Sequence, residues 1–186
     1  MTLPNMKGTP INSYAPDFEL PGTDDQVHHL ARYLEEFQGV GVVFLGNQCP
    51  HAVAYVDRLK QLQTDFANQG IIVIGINPND AVQSPEDNFD KMKEFAAQHQ
   101  LNFPYIRDVT QDVAHSFGVE KTPEAFLLDH EGKLRYRGAI DDQPQDPNAV
   151  KVSYLRNAIQ QLLAGETLDP TFTDTIGCAV HWRATH

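Results

Sequence analysis

Two uninterrupted apolar runs constrain this chain more than any other feature. Val40-Gly41-Val42-Val43-Phe44-Leu45 and Ile71-Ile72-Val73-Ile74-Gly75-Ile76 show no polar alternation, the pattern of strands buried on both faces. Between them Pro50 sits where a helix tolerates proline, in its first turn. Ala52, Val53, Val56, Leu59, Leu62 and Phe66 follow at helical spacing, and Gly70 stops the pattern. A strand, a helix and a strand in that order imply a parallel pair joined by a right-handed crossover. The chain is therefore expected to be an α/β protein.

The remaining segments extend that unit. Residues 1–16 read as an extended lead-in rich in Pro, Asn, Gly and Ser. Ala15 to Leu20 alternates as a short strand, Pro21 to Asp25 is a turn, and Val27 to Leu30 pairs back. Arg32 to Phe37 forms a helical turn ending near Gly39. Ser84-Pro85-Glu86-Asp87 is expected to open a helix, with Ser84 as N-cap, Pro85 at its first position and acids in its first turn. Phe89, Met92, Phe95 and Ala96 give that helix its apolar stripe. Phe103 to Ile106 reads as a strand and Asp112 to Phe117 as a short helix. Ala125 to Asp129 and Lys133 to Gly138 read as a hairpin turned at His130-Glu131-Gly132. Its Arg135 and Arg137 are expected to share a solvated face. Val152, Leu155, Ile159, Leu162 and Leu163 form a last amphipathic helix ended by Gly165. No internal repeat or linker is visible, so one domain over 1–186 is predicted, with a core of about 15–165 and a C-terminal tail, 166–186, packing on it.

Charge and composition narrow the partners. The 186 residues carry a formal net charge of -11, spread over the chain, whereas nucleic acid and anionic membranes need a basic face. Neither partner is expected. No window reaches the roughly 18 apolar residues of a membrane span, and Met1 to Lys7 lacks an apolar core of signal-peptide length. A cytoplasmic, reducing compartment is the expectation, where a cysteine is reactive or buried more often than cross-linked. No Cys/His spacing suits zinc. The acids Asp141 and Asp142 lie in a Pro-rich loop expected to be exposed, so neither metal nor cofactor is expected.

Cys49 and Cys178 are the two cysteines. Cys49 follows the first buried strand and precedes Pro50, which places its thiol at a helix N-terminus. There free backbone N–H groups and the helix dipole lower a thiol pKa from about 8.5 and favour the nucleophilic thiolate. Asn47 and Gln48 are candidates for positioning a peroxide or a peptide carbonyl. His51, if charged, would stabilise the thiolate; otherwise it is a surface residue at the helix start. Cys178 admits two readings: a resolving thiol that attacks an oxidised Cys49, or a small residue in a docking tail beside Ile176, Val180 and Trp182. Resolution requires Cα atoms within about 7 Å. Without it, an external thiol must resolve Cys49.

Four segments stand out in order: Ala15-Pro16-Asp17-Phe18-Glu19-Leu20; Val43 to Pro50; Ile72-Val73-Ile74-Gly75-Ile76-Asn77; and Phe117 to Asp129, which contains Thr122-Pro123. Together they resemble the thioredoxin-like superfamily, in its peroxiredoxin-like branch related to alkyl hydroperoxide reductase and thiol-specific antioxidant. The resemblance runs from Ala15 to about Gly138. It implies a thioredoxin-like fold: a central mixed β-sheet flanked by helices, with an N-terminal β-hairpin extension. It also implies that Cys49 is the redox-active nucleophile, and that a cis Thr122–Pro123 bond lies beside it, with the Thr122 backbone offering edge hydrogen bonds to an extended substrate.

The chain also departs from the pattern. A dithiol thioredoxin has a second cysteine where Ala52 stands, and a standard peroxiredoxin has Thr at the place of Gly46 and an Arg where Pro123 falls. Val43 and Tyr55 carry no proton-handling acid. The reading that follows is an oxidoreductase with peroxiredoxin-like antioxidant activity on hydroperoxides, Cys49 being the nucleophile and its oxidised form resolved either by Cys178 or by an external thiol. The alternatives are a thiol–disulfide oxidoreductase and a non-enzymatic peptide binder or redox sensor. The partners implied are a hydroperoxide or disulfide substrate and an external thiol reductant such as a thioredoxin or glutathione system.

Overall fold

A hairpin of β1 (Glu19–Pro21) and β2 (Val27–His29) leads into the short helix α1 (Leu30–Glu36). The chain then runs through β3 (Gly39–Phe44), α2 (Pro50–Phe66), β4 (Ile71–Asn77), α3 (Phe89–Gln98), β5 (Tyr105–Arg107), α4 (Asp112–Phe117), β6 (Lys121–Thr122), β7 (Glu124–Asp129), β8 (Leu134–Gly138), α5 (Tyr154–Leu163) and β9 (Cys178–Ala179). This computed structural model describes residues 7–184; the first part of the polar lead-in, residues 1–6, and the last two residues, Thr185 and His186, lie outside the described residues.

The central sheet has the order β5-β4-β3-β7-β8. β3 pairs in parallel with β4, and β4 with β5; β7 runs antiparallel to both β3 and β8. Every residue of β3 and of β7 is buried, as the apolar runs require. Alternate side chains serve two cores. Val43, Val73, Ala125 and Leu127 pack with α2, α3 and α5 on one face. Val42, Phe44, Ile74, Ile76 and Phe126 pack with α1 and α4 on the other. The mixed α/β sheet with helices on both faces matches the fold expected from the sequence.

Three local expectations are corrected. The helix after β4 does not open at Ser84. Pro85–Asp87 is a single 3-10 turn, and α3 begins after Asn88, whose side chain accepts the Lys91 N–H at 2.8 Å. Ser84 donates its hydroxyl to Asp87 instead, at 2.6 Å, because both side chains point inward. Arg137 is not solvated. It is 4% exposed and pairs with the buried Glu124 at 2.9 Å, while Arg135 stays half-exposed beside Asp129. The β8 strand interior faces the N-terminal segment there, and Arg137 also donates to the carbonyls of Lys7 and Gly118. Asp141 is buried too: it accepts from Tyr55 Oη at 2.6 Å and from Arg58 Nη1 at 2.7 Å. Among the described residues no group of three or more His, Cys, Asp or Glu is arranged to hold a metal, and no helix is long and apolar enough to cross a membrane.

Candidate functional site

The site begins where β3 ends. Leu45 N–H still bonds to the Ile76 carbonyl at 2.8 Å, then the chain leaves the sheet through Gly46, Asn47 and Gln48 to Cys49. Cys49 is the N-cap residue of α2 with extended backbone, and its carbonyl accepts the Val53 N–H at 2.9 Å. The residue is 8% exposed. It therefore occupies the helix N-terminus that the Cys-Pro order called for.

Cys178 is bonded to it. The two sulfurs form a disulfide with Cα atoms 5.9 Å apart. The tail reaches this position as a strand: β9 pairs antiparallel with β6, Lys121 opposite Ala179 and Thr122 opposite Cys178. The Thr122–Pro123 peptide bond is cis, and the Thr122 carbonyl oxygen lies 3.3 Å from Cys49 Sγ. A disulfide sulfur has no proton to donate, so this is a contact in the oxidised state. After reduction the same carbonyl would accept from a thiol and repel a thiolate, opposing the effect of the helix N-terminus. The edge of Thr122 that would meet an extended substrate is taken here by the chain's own tail.

Several hydrogen bonds hold that tail. Val180 N–H donates to the Glu120 carbonyl at 3.1 Å, and Asp80 N–H to the His181 carbonyl at 2.8 Å. His181 N–H donates to Asn79 Oδ1 at 2.9 Å, and Arg183 N–H to Gln111 Oε1 at 2.9 Å. The Trp182 ring stacks on His115 with centroids 4.2 Å apart, and Val180 is buried in the second core. The tail is fixed on both sides of Cys178, since Arg137 N–H also donates to the Thr171 carbonyl at 3.0 Å.

The other residues singled out from the sequence are distributed unevenly. Asn47 supports the loop: its Nδ2 donates to the Glu86 carbonyl at 2.8 Å and its Oδ1 accepts from Tyr105 Oη at 2.7 Å. Its amide is thus engaged with protein. Gln48 is exposed at the loop tip. His51 lies on the first turn of α2, half-buried, with Gln145 Nε2 3.0 Å from its Nδ1. Beside Pro123 a cavity of about 210 Å³ is lined by Tyr55, Asp142, Tyr154, Asp174 and Ile176. Burial and the neighbouring Asp141 push the Tyr55 phenol above its usual pKa, so it acts there as a neutral donor.

Sequence reasoning missed the polar groups behind the loop. Asn77, Asn79, Ser84, Asp87 and Tyr105 are all buried and bonded to one another or to the Cys49 loop. The signal was present in Asn77-Pro78-Asn79 at the end of a buried strand, where polar side chains need partners. The same group explains Gly46: a Cβ there would stand 2.8 Å from Asn79 Nδ2.

A five-stranded mixed sheet, a cysteine at the N-terminus of the helix after its central strand and a cis-proline opposite define a thioredoxin-like redox protein. The chain belongs to the AhpC/TSA family, whose family model matches residues 11–137. It is 30% identical over 125 residues, 67% of either chain, to the thiol-disulfide oxidoreductase ResA of Geobacillus thermodenitrificans. To the thiol:disulfide interchange protein DsbE of Pseudomonas aeruginosa it is 27% identical over 130 residues, covering 69% of this chain and 67% of that one. Among solved structures, a hypothetical protein from Sinorhizobium meliloti superposes with a TM-score of 0.89 at 32% identity, covering 96% of this chain and 98% of the other. An uncharacterised conserved protein from Geobacillus kaustophilus gives 0.89 at 31% identity over the whole of both chains.

Proposed function

We propose that this protein is a thiol–disulfide oxidoreductase that cycles Cys49 and Cys178 between dithiol and disulfide. The observation that carries this reading is the Cys49–Cys178 bond formed against the cis Thr122–Pro123 edge. The names of the ResA and DsbE relatives support the same chemistry. In the reduced protein the Cys49 thiolate attacks one sulfur of a substrate disulfide, forming a mixed disulfide and releasing one substrate thiolate. Cys178 then attacks the Cys49 sulfur, releases the second thiolate and closes the internal disulfide. Two electrons pass to substrate. An external thiol system of the thioredoxin or glutathione type returns them by the reverse exchange. In this reading Thr122 and Pro123 present backbone beside the reacting sulfurs, and Gln48 and His51 line the approach. We place the protein in the cytoplasm, where disulfides are transient and catalytic rather than structural.

A second reading has support in the AhpC/TSA family match together with a resolving cysteine within reach. Cys49 would attack a hydroperoxide, releasing an alcohol and leaving a sulfenic acid. Cys178 would condense with it, expelling water and forming the same disulfide. Disulfide exchange is preferred because Gly46 and Pro123 stand where a standard peroxiredoxin has Thr and Arg.

The experiment compares the fully reduced protein with its Cys49→Ser form. Each is mixed anaerobically with a peptide disulfide or with hydrogen peroxide, and free thiols are counted against time. Exchange predicts fast oxidation by the disulfide and slow oxidation by peroxide; the reverse order would establish the peroxidase reading. Oxidation by neither above the mutant's rate would leave a peptide binder or slow redox sensor. In the Cys178→Ser form, exchange predicts a mixed disulfide at Cys49 that persists.

A further inference from the structure

One buried carboxylate joins the two cysteine-bearing segments. Asp87 is 1% exposed. Its Oδ1 accepts from the backbone N–H of Asn47 at 2.7 Å and from Asn77 Nδ2 at 2.9 Å. Its Oδ2 accepts from Ser84 Oγ at 2.6 Å and from Asn79 Nδ2 at 3.2 Å. The other end of the Asn79 amide, Oδ1, accepts from His181 N–H at 2.9 Å. Asn47 belongs to the loop that carries Cys49, and His181 to the tail that carries Cys178. A carboxylate, acceptor on both oxygens, satisfies these four donors together.

From this connection we infer that Asp87 is a positioning residue for disulfide closure. Acting through Asn47 on one side and through Asn79 on the other, it holds the Cys178 segment in register with Cys49. The stability of an internal disulfide depends on the effective concentration of one thiol at the other, which a flexible tether leaves low and a fixed geometry raises. The inference rests on the reading of Cys49 and Cys178 as a redox pair. It does not depend on which substrate oxidises them.

Complementarity across the Asp87–Asn79 contact provides the test. Each purified variant is equilibrated anaerobically with glutathione, so that protein dithiol plus glutathione disulfide exchanges with protein disulfide plus two glutathione. Thiols are then trapped and counted. Asp87→Asn sets two amide donors against each other, and Asn79→Asp sets two carboxylates against each other. Each is expected to lower the equilibrium constant for protein disulfide at least about tenfold, a potential about 30 mV more oxidising. The double variant D87N/N79D exchanges donor and acceptor while leaving an oxygen for His181 N–H, and it should return to within about threefold of wild type. Single variants that stay within about threefold of wild type overturn the proposal, and so does a double variant that stays as low as the singles.

If the charged variants do not fold, Asn79→Ala separates the tail arm from the loop arm. It should lower the same constant while the reduced protein's Cys49 alkylates with iodoacetamide at the wild-type rate. An unchanged constant in N79A overturns the inference as well. Failure of wild type to react with peptide disulfides would overturn the oxidoreductase reading alone, because the glutathione equilibrium is measured separately.

Discussion

Cys178 stands directly opposite Thr122 in an antiparallel register, and Thr122 is also the residue whose carbonyl touches Cys49 Sγ at 3.3 Å. The tail thus occupies the edge strand position next to the cis-proline, and the cysteine reaches its partner as part of a β-ladder. Closure of the disulfide needs β9 in register on β6, so substitutions that disturb the ladder should read out as redox effects.

Gly177 is the most sensitive point of that ladder. A Cβ there would collide with the Thr122 carbonyl oxygen, a backbone atom that cannot swing aside. Overpacking of this kind costs about 1–3 kcal/mol, roughly a five- to hundredfold change in an equilibrium. Gly177→Ala should destabilise the disulfide in a glutathione redox buffer by that order. An unchanged equilibrium would show that the tail can shift without loss.

Gly46→Thr restores the residue that the resemblance leads one to expect, yet it should harm this protein. Its Cβ would press on Asn79 Nδ2 at 2.8 Å and displace the amide from Asp87. A loss of about 1–3 kcal/mol is expected in urea denaturation. A variant as stable as wild type, with raised peroxide reactivity, would instead favour the peroxidase chemistry.

The Glu124–Arg137 pair lies immediately after Pro123, both groups buried. Burial raises the Glu124 pKa, while Arg137 pulls it down. Glu124→Gln leaves a guanidinium buried without its counter-charge and should cost about 3–5 kcal/mol. Replacing both residues by apolar ones of similar volume should cost far less. Equal losses for the single and double variants would show that the pair's charges do not matter.

Asp108 supplies a pH signature. It is fully buried, and desolvation, the largest influence, raises its pKa above 3.8 although the Ala114 N–H bonds its Oδ2 at 2.8 Å. A carboxyl raised on folding binds its proton more tightly in the native state. Its contribution is therefore fully present below the unfolded value and is lost as pH rises through the folded one. Stability measured against Asp108→Asn should fall for wild type, relative to the variant, as pH rises from below 3.8 into the neutral range. A difference that does not change with pH would remove Asp108 as a source of the slope.

Much of this protein was determined by local sequence pattern. Val40–Leu45 and Ile71–Ile76 could satisfy their apolar side chains and backbone groups in few ways other than adjacent central strands, and Pro50 marked where α2 would start after Cys49. Those signals are short-range and additive, so they survive reading without coordinates. The tertiary structure decided what short-range pattern cannot hold. Arg137 appeared as one of two alternating hairpin charges, and only the approach of Glu124 and the Lys7 and Gly118 carbonyls made its burial tolerable. Asp87 looked like a first-turn acid of a helix, yet it turned inward because donors from two other segments, the Asn47 loop and Asn77-Pro78-Asn79, converge on it. The pairing of Cys178 with Cys49 depended on a tail docking across the sheet end, through contacts between residues far apart in the chain. Distance in sequence says nothing of distance in space until the intervening core has packed. That is why the thiol at the helix N-terminus was legible from the start, while its partner was fixed only by the fold.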